Sequence, residues 1–427
     1  MTCCVLGLGN IGLPTAALIA SRGRRVLGVD VNPSKIRLES RIQSLEVEVR
    51  RWVVEALQSG RFRVSTAVED ADVFVICVPT PHDPERPESD LHDFRCACEQ
   101  VAKVLCGGNL VIIESTVPVG TTRGVAMPIL ERESGLVAGR DFYLAFCPER
   151  AMPGRLAEEL VQNARVVGGI DPRSAERAAT FYRTLVEGEV LETDAETAEL
   201  VKLMENTYVA VNVALANEYA LVAESLGVEV HKAIRLANRH PRVRILRPGP
   251  GVGGHCIPVD PWFLVQASPE ATTTIRAALM RNALMPRHVA DAVVQALRRV
   301  RKPLSGARVV LLGVTYKEDV SDCRGSPAAA IAEHLGAHGI LVSFHDPIAV
   351  GFPYPVERDL LAAARGADAL VLVNDHAAYA ALDREALLRV MGTDPCFLDC
   401  RGRHTPIPGF QWWTLGRGLP HGRDGHP

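Results

Sequence analysis

Cys4-Val5-Leu6-Gly7-Leu8-Gly9-Asn10-Ile11-Gly12-Leu13-Pro14-Thr15-Ala16-Ala17-Leu18-Ile19-Ala20-Ser21 stands almost at the head of the chain. Three apolar residues lead into glycines at 7, 9 and 12, and 13–21 then reads as a helix, so the order is strand, glycine turn, helix. In that order the glycines close a tight turn, let a pyrophosphate approach the backbone and let the helix pack on the strand. The next apolar run, Arg25-Val26-Leu27-Gly28-Val29, ends at Asp30, where an acid takes the hydroxyls of an adenosine ribose and repels a 2′-phosphate. The pattern predicts a dinucleotide fold with Gly7, Gly9, Asn10, Ile11, Gly12 and Asp30 around NAD rather than NADP. Lys35 lies close by as a cation that offsets part of the repulsion.

Outward from this unit the alternation continues. Val73-Phe74-Val75-Ile76-Cys77-Val78 and Leu110-Val111-Ile112-Ile113 are continuous apolar runs, as in a parallel sheet covered on both faces. Val78-Pro79-Thr80-Pro81 and Glu114-Ser115-Thr116-Val117-Pro118 follow them, at the carboxyl ends of strands where open α/β sheets bind ligands. From Thr197 to Gly227, Leu200, Leu203, Met204, Val211, Leu215, Ala216 and Leu221 recur at helical steps, predicting one long helix. A second set of strands follows at Arg308–Gly313, Leu341–Phe344, Ala369–Val373 and Phe397–Asp399, without a glycine fingerprint. The expected fold is α/β, with two Rossmann-like doubly wound parallel-sheet domains joined by a long central helix. Its parts are an NAD-binding domain at 1–195, a helical domain with the Cys256 loop at 196–300, a second Rossmann-like domain at 301–415 and a disordered tail at 416–427.

Composition bounds the function. At 427 residues the chain is too long for one ordinary domain, and a net charge of −3 gives no general attraction to nucleic acid or to anionic membrane. No apolar run approaches the length of a membrane span, and the first strand leaves no room before it for a signal peptide. A cytoplasmic enzyme is expected, and eleven irregularly spaced cysteines suit a reducing compartment. Cys96 and Cys98 are too close for a zinc pair and no other His/Cys cluster completes a site, so no metal is expected.

Two features point to chemistry. Of the 47 basic residues only six are lysines, so where a cation suffices this chain uses arginine. Lysine, unlike arginine, loses its proton near neutrality when buried, which singles out Lys202 and Lys317. The second is Pro248-Gly249-Pro250-Gly251-Val252-Gly253-Gly254-His255-Cys256-Ile257-Pro258-Val259-Asp260, one cysteine in a glycine-dense loop with an acid four residues on. A buried cysteine usually behaves as a small hydrophobe, the reading for the other ten. Cys256 is set in a loop open to a ligand, with its thiol available for covalent work.

The order of the glycine fingerprint, Val78-Pro79-Thr80-Pro81, Glu114 to Thr122, Cys147-Pro148-Glu149-Arg150, Glu199 to Asn206, Gly253-Gly254-His255-Cys256 and Gly313 to Asp319 resembles the UDP-glucose/GDP-mannose dehydrogenase family from Cys4 to Arg401. Within the family, Leu236 to Arg242 followed by Gly253 to Cys256 and Asp260-Pro261-Trp262-Phe263 is most similar to the UDP-N-acetylmannosamine branch. The glucose branch usually carries serine before the cysteine and lysine in place of Val259. The resemblance implies four-electron oxidation of a sugar C6 hydroxyl to a carboxylate with two NAD per substrate. Cys256 would carry a thiohemiacetal and then a thioester, and the product would feed polysaccharide biosynthesis.

The carried-over roles give Lys202 and Asn206, one helical turn apart, to the developing oxyanion, Glu149 to the water that hydrolyses the thioester, and Asp260 to holding that water or the lysine. Thr116 orders the water beside the nicotinamide. Thr80, Thr116 and Arg324 fall to the cofactor. Glu149, Arg150, Lys202, Asn206, Arg239, Arg242, Gly253, His255 and Lys317 fall to a UDP-sugar, and the long helix to a homodimer. Three positions depart from the N-acetylhexosamine pattern: Val209 and Leu279 stand where arginine is usual, and Gly325 where glutamate would pair with an arginine near the cofactor. UDP-GlcNAc or UDP-glucose oxidation, a two-electron dehydrogenase of the 6-phosphogluconate type and a non-catalytic nucleotide-sugar binder are the competing readings.

Overall fold

A computed structural model describes residues 1–81 and 89–418. The chain divides into two compact units, 1–205 with 262–271 and 206–261 with 272–427. The helical stretch 196–300, expected as a domain of its own, therefore contributes to both. Of the expected tail, residues 416–418 are packed. Val230 N donates to Gly416 O (2.8 Å) and Gly416 N to Glu224 (2.8 Å), and the remainder lies outside the described residues.

The first unit holds an eight-stranded sheet, β1 (Thr2–Leu6), β2 (Arg25–Val29), β3 (Phe62–Ser65), β4 (Val73–Ile76), β5 (Leu110–Ile113), β6 (Tyr143–Phe146), β7 (Arg165–Gly169) and β8 (Val190–Asp194). Its order is β3-β2-β1-β4-β5-β6-β7-β8, the dinucleotide-fold order on its first six strands. All neighbours are parallel except β6 and β7. Alternation divides the side chains between two cores. Cys3, Val5, Val73, Val75, Leu110 and Ile112 face the helices Gly12–Ser21 and Val47–Gln58, while Cys4, Leu6, Phe74, Ile76, Val111 and Ile113 face His92–Ala102 and Met127–Ser134. Every residue of β4 and β5 is buried, which requires the unbroken apolar runs seen in the sequence.

The second unit holds β9 (Arg308–Leu312), β10 (Leu341–His345), β11 (Ala369–Leu372), β12 (Cys396–Asp399) and β13 (Gln411–Thr414), all parallel, in the order β10-β9-β11-β12-β13. This is the other common doubly wound order. Its two faces again bury alternate residues, Val309, Leu311, Val371 and Leu398 on one and Val310, Leu312, Leu372 and Phe397 on the other. The long helix runs Ala195–Leu226, 32 residues.

Candidate active site

In the first unit Gly7 has φ +88°, and a Cβ there would meet Cys77 O at 2.5 Å; at Gly12 it would meet Gly7 O at 1.8 Å. The protein itself therefore excludes side chains at both positions. At Gly9 a Cβ would meet nothing within 4 Å, so the open face there is free for a pyrophosphate, and the helix from Gly12 has no side-chain cap on its first N–H groups. Asp30 ends β2 and accepts from Leu8 N (2.9 Å) and Asn32 N (2.9 Å), which aims its carboxylate at the glycine turn and leaves lone pairs for ribose hydroxyls. The sequence reading missed Arg41. Its guanidinium reaches Leu8 O (2.7 Å) and Lys35 O (2.7 Å) beside Asp30. Both terminal nitrogens are thus engaged by backbone, so this arginine does not present a free fork to a 2′-phosphate. These residues fit NAD.

At the next strand ends, Thr80 Oγ1 donates to Thr116 O and Ser115 Oγ to Val78 O (2.7 Å), tying the two loops together. Glu199, on the long helix and fully buried, accepts from Gly120 N, Thr122 N (2.8 Å) and Thr122 Oγ1 (2.6 Å), so the Gly-Thr-Thr of the motif anchors that helix.

Glu149 follows β6 and is 8% exposed, and its Oε1 has no hydrogen-bond partner among the described residues. The antiparallel pair β6–β7 explains its surroundings. Ala145 pairs with Gly169 and Phe146 with Gly168, and the same register carried on places Arg165 opposite Glu149. Side chains hold that alignment: Asn163 Nδ2 donates to Arg150 O (2.9 Å) and Arg150 to Ala164 O (2.7 Å). The rest of the Arg150 guanidinium goes to Glu205, so this residue holds the turn rather than offering itself to a ligand. Arg165, buried, shares its charge with Glu114 (3.5 Å), which also accepts from the Cys77 thiol (3.0 Å). Lys202 Nζ donates to the backbone carbonyl of Glu149 (2.7 Å). Burial raises the Glu149 carboxyl, Lys202 and Arg165 pull it back down, Glu114 and Glu159 push it up, and the result is about 7. A carboxyl poised there exchanges protons at neutral pH. Glu114 and Arg165 were not singled out in the sequence.

In the second unit Cys256 is half-buried and heads a turn, its carbonyl accepting from Val259 N (3.0 Å) and Asp260 N (2.8 Å). Asn206 Nδ2 donates to the buried Asp260 carboxylate. The loop's glycines answer to the protein: a Cβ at Gly253 would meet Tyr316 Cβ at 2.7 Å and one at Gly254 the Tyr316 ring at 3.2 Å. A buried amide chain positions the loop's start, running from Gly249 N to Asn217 (2.9 Å), Asn217 to Asn282 (3.0 Å) and Asn282 to Ala210 O (3.0 Å). Neither amide had been assigned a role.

The departures have local explanations. Gly325 has φ +59° and a Cβ there would meet Gly254 O at 2.9 Å, so a glutamate does not fit this backbone. Arg324 pairs instead with Asp322 (2.6 Å). Leu279 is buried on the helix Thr273–Arg299. Nothing in the structure explains Val209.

His255, Arg239 and Arg242 are exposed, the two arginines on a loop stapled at its ends by Asn238 and Ile245 (2.8 and 2.9 Å). Lys317 lines a cavity of about 200 Å³ with Arg247, Pro248, Tyr316, Glu318, Arg401 and Arg403. Four cations against one carboxylate suit a diphosphate. The three arginines were missed because none sits in a spaced motif.

A dinucleotide fold and a second doubly wound unit with a cationic cavity together define an oxidoreductase for a nucleotide-linked substrate. The chain belongs to the UDP-glucose/GDP-mannose dehydrogenase family, whose NAD-binding domain matches residues 1–186, central domain 196–284 and UDP-binding domain 310–406. It is an NAD-dependent nucleotide-sugar dehydrogenase. It is 45% identical over 392 residues to a UDP-N-acetyl-D-mannosamine dehydrogenase of Methanocaldococcus jannaschii, covering 91% of this chain and 88% of that one. It is 41% identical to an NDP-N-acetyl-D-galactosaminuronic acid dehydrogenase of Ralstonia solanacearum, covering 90% and 93%. The structure of a UDP-D-ManNAc dehydrogenase from Pyrococcus horikoshii superposes with a TM-score of 0.91 at 40% identity, covering 98% of this chain and all of that one. Among the described residues no helix is long and apolar enough to cross a membrane.

Proposed function

We propose that the protein oxidises a UDP-N-acetylhexosamine, UDP-ManNAc first among them, at C6 to the uronic acid, with a covalent intermediate on Cys256. When bound, NAD supplies the hydride acceptor, one molecule for each of two successive oxidations. With C6 at the aldehyde level, the Cys256 thiolate adds to the carbonyl carbon. A C–S bond forms and the oxygen, stabilised by Lys202 and Asn206, takes a proton to give the thiohemiacetal. Loss of a hydride from C6 and a proton from that hydroxyl leaves the thioester. Glu149 removes a proton from water ordered by Thr116. The hydroxide adds to the thioester carbonyl, the C–S bond breaks and the thiolate is restored. Capture of the aldehyde divides a hard step and prevents its escape. One observation carries this reading. Cys256 heads the turn that leads to the buried, Asn206-bonded Asp260. Of the other ten cysteines, all expected to be buried, seven are, while Cys77 and Cys96 are half-buried and Cys106 is exposed.

NADH released per sugar consumed tests it, in a panel of UDP-ManNAc, UDP-GlcNAc and UDP-glucose. Two NADH per sugar, fastest with UDP-ManNAc, is expected. One would make the enzyme a two-electron dehydrogenase, none a non-catalytic binder, and preference for another sugar would reassign the substrate.

The same reading includes a homodimer through the long helix. Leu200, Met204, Tyr208, Leu215, Tyr219, Val222 and Leu226 are all exposed, and at 100° per residue they fall within one sector of about 100°. Single exposed apolar residues are ordinary, but a continuous stripe calls for a partner.

A further inference from the structure

At the carboxyl ends of β9, β10 and β11 a buried polar cluster underlies the cationic cavity, and none of its side chains had been given a role. Asp346, fully buried, follows β10. Its Oδ2 accepts from Val314 N (2.8 Å) and Thr315 N (3.3 Å), and its Oδ1 from Ile348 N (2.9 Å) and Ala349 N (2.8 Å). His376, 1% exposed, brings Nε2 to the same Oδ2 (2.9 Å) and to Thr315 Oγ1 (3.1 Å). Its Nδ1 accepts from Asp319 N (2.9 Å). That acceptor role assigns the ring proton to Nε2, where it is donated to Asp346.

The consequence lies in what these contacts enclose. Thr315 and Asp319 are the two ends of a five-residue turn whose middle, Tyr316, Lys317 and Glu318, supplies three of the seven residues lining the cavity. Thr315 Oγ1 also donates to Lys317 O (2.9 Å), and Asp319 Oδ1 accepts from Ala377 N (3.0 Å). Asp319 has φ +57°, a conformation that favours glycine and that its surroundings must hold in place. One imidazole therefore grips both ends of the turn. Asn374 extends the cluster to a fourth lining residue, donating to Thr315 Oγ1 (3.0 Å) while accepting from Arg401 (2.9 Å).

We propose that His376, held by Asp346, is a positioning residue for substrate. It fixes the 315–319 turn so that Lys317 is presented to the diphosphate of the nucleotide sugar, and affinity for the nucleotide depends on it. The inference rests on the reading of this cavity as the diphosphate site.

The test measures UDP affinity calorimetrically on the full-length protein, alongside NAD affinity, thermal midpoint and steady-state constants. His376→Phe fills the space without the hydrogen bonds and is expected to weaken UDP binding and raise the KM for the nucleotide sugar by about tenfold or more. NAD affinity, and kcat at saturating sugar, should stay within about twofold. His376→Asn, which keeps an acceptor toward Asp319 N, should fall between the two, and it carries the test if the phenylalanine variant does not fold. A folded variant with a lowered thermal midpoint and unchanged UDP affinity would overturn the inference, since it would show a structural role only. Lys317→Met separates the premise. If it too leaves UDP affinity unchanged, the cavity is not the diphosphate site; if it weakens UDP while His376→Phe does not, the inference alone fails.

Discussion

Glu149 shows how one position converts burial into chemistry. Its carboxyl is raised to about 7, chiefly by desolvation and against the pull of Lys202 and Arg165, so a base for water is available on the alkaline side. The hydrolytic half-reaction should therefore rise with pH and level off above about 7, and steady-state rates should follow where that step is slow. The same shift has a sign for stability. Between pH 4.5 and about 7 the folded protein holds a proton that the unfolded chain has released, so stability falls as pH climbs through that window, by on the order of 3 kcal/mol at pH 8. Glu149→Gln should accordingly raise the thermal midpoint relative to wild type more at pH 8 than at pH 5. An equal difference at both pH values would show that Glu149 does not titrate with a raised carboxyl. Glu149 was legible because it closes a Cys-Pro-Glu-Arg motif after an apolar run. Arg165 was not: sixteen residues on, it reaches Glu149 only because β7 runs antiparallel to β6, and nothing in Arg165-Val166-Val167-Gly168-Gly169 announces that reversal.

Among the elements, those buried on both sides were read closely except β7, which is buried throughout and was not predicted. β2 and β5 fall at the expected residues, and β9 and β11 end one residue short of them. Of the sheet margins β10 was read, to within one residue, while β3, β8 and β13 were missed because they mix apolar with polar residues and show no unbroken apolar run. The long helix begins two residues earlier and ends one earlier than its periodicity predicted. Its exposed stripe carries the prediction at this scale. Leu215→Glu combined with Tyr219→Glu, both on exposed positions, should convert a dimer seen by sedimentation into a monomer with native circular dichroism. A wild-type monomer, or a double variant that stays dimeric, would place the contact elsewhere. The amide chain through Asn217 and Asn282 belongs to this scale too. It was invisible because its members lie 32 and 65 residues from what they bind.

At the scale of the molecule, the chain distributes its chemistry. The fingerprint, Glu149 and Lys202 belong to one unit, and Cys256, Asp260, Asn206 and the Lys317 cavity to the other. Motif order picked out these residues before any coordinates, because glycine spacing and a lone loop cysteine report backbone demands directly. It grouped Lys202, Asn206, Cys256 and Asp260 in one helical domain at 196–300, however, whereas the long helix passes from one unit to the other between Glu205 and Asn206. His376, Asp346 and Arg401 report nothing until strands far apart in sequence bring them together. The central proposal is the acyl-enzyme on Cys256, discharged by Glu149, and general-base loss typically costs about 100- to 10,000-fold, enough to make that discharge the slow step. Intact-protein mass spectrometry after mixing Glu149→Gln with UDP-ManNAc and NAD should show a covalent sugar-nucleotide adduct, absent when Cys256→Ala is added to the same protein. A Glu149→Gln enzyme that turns over at the wild-type rate, or a slow one that never carries the adduct, would contradict it.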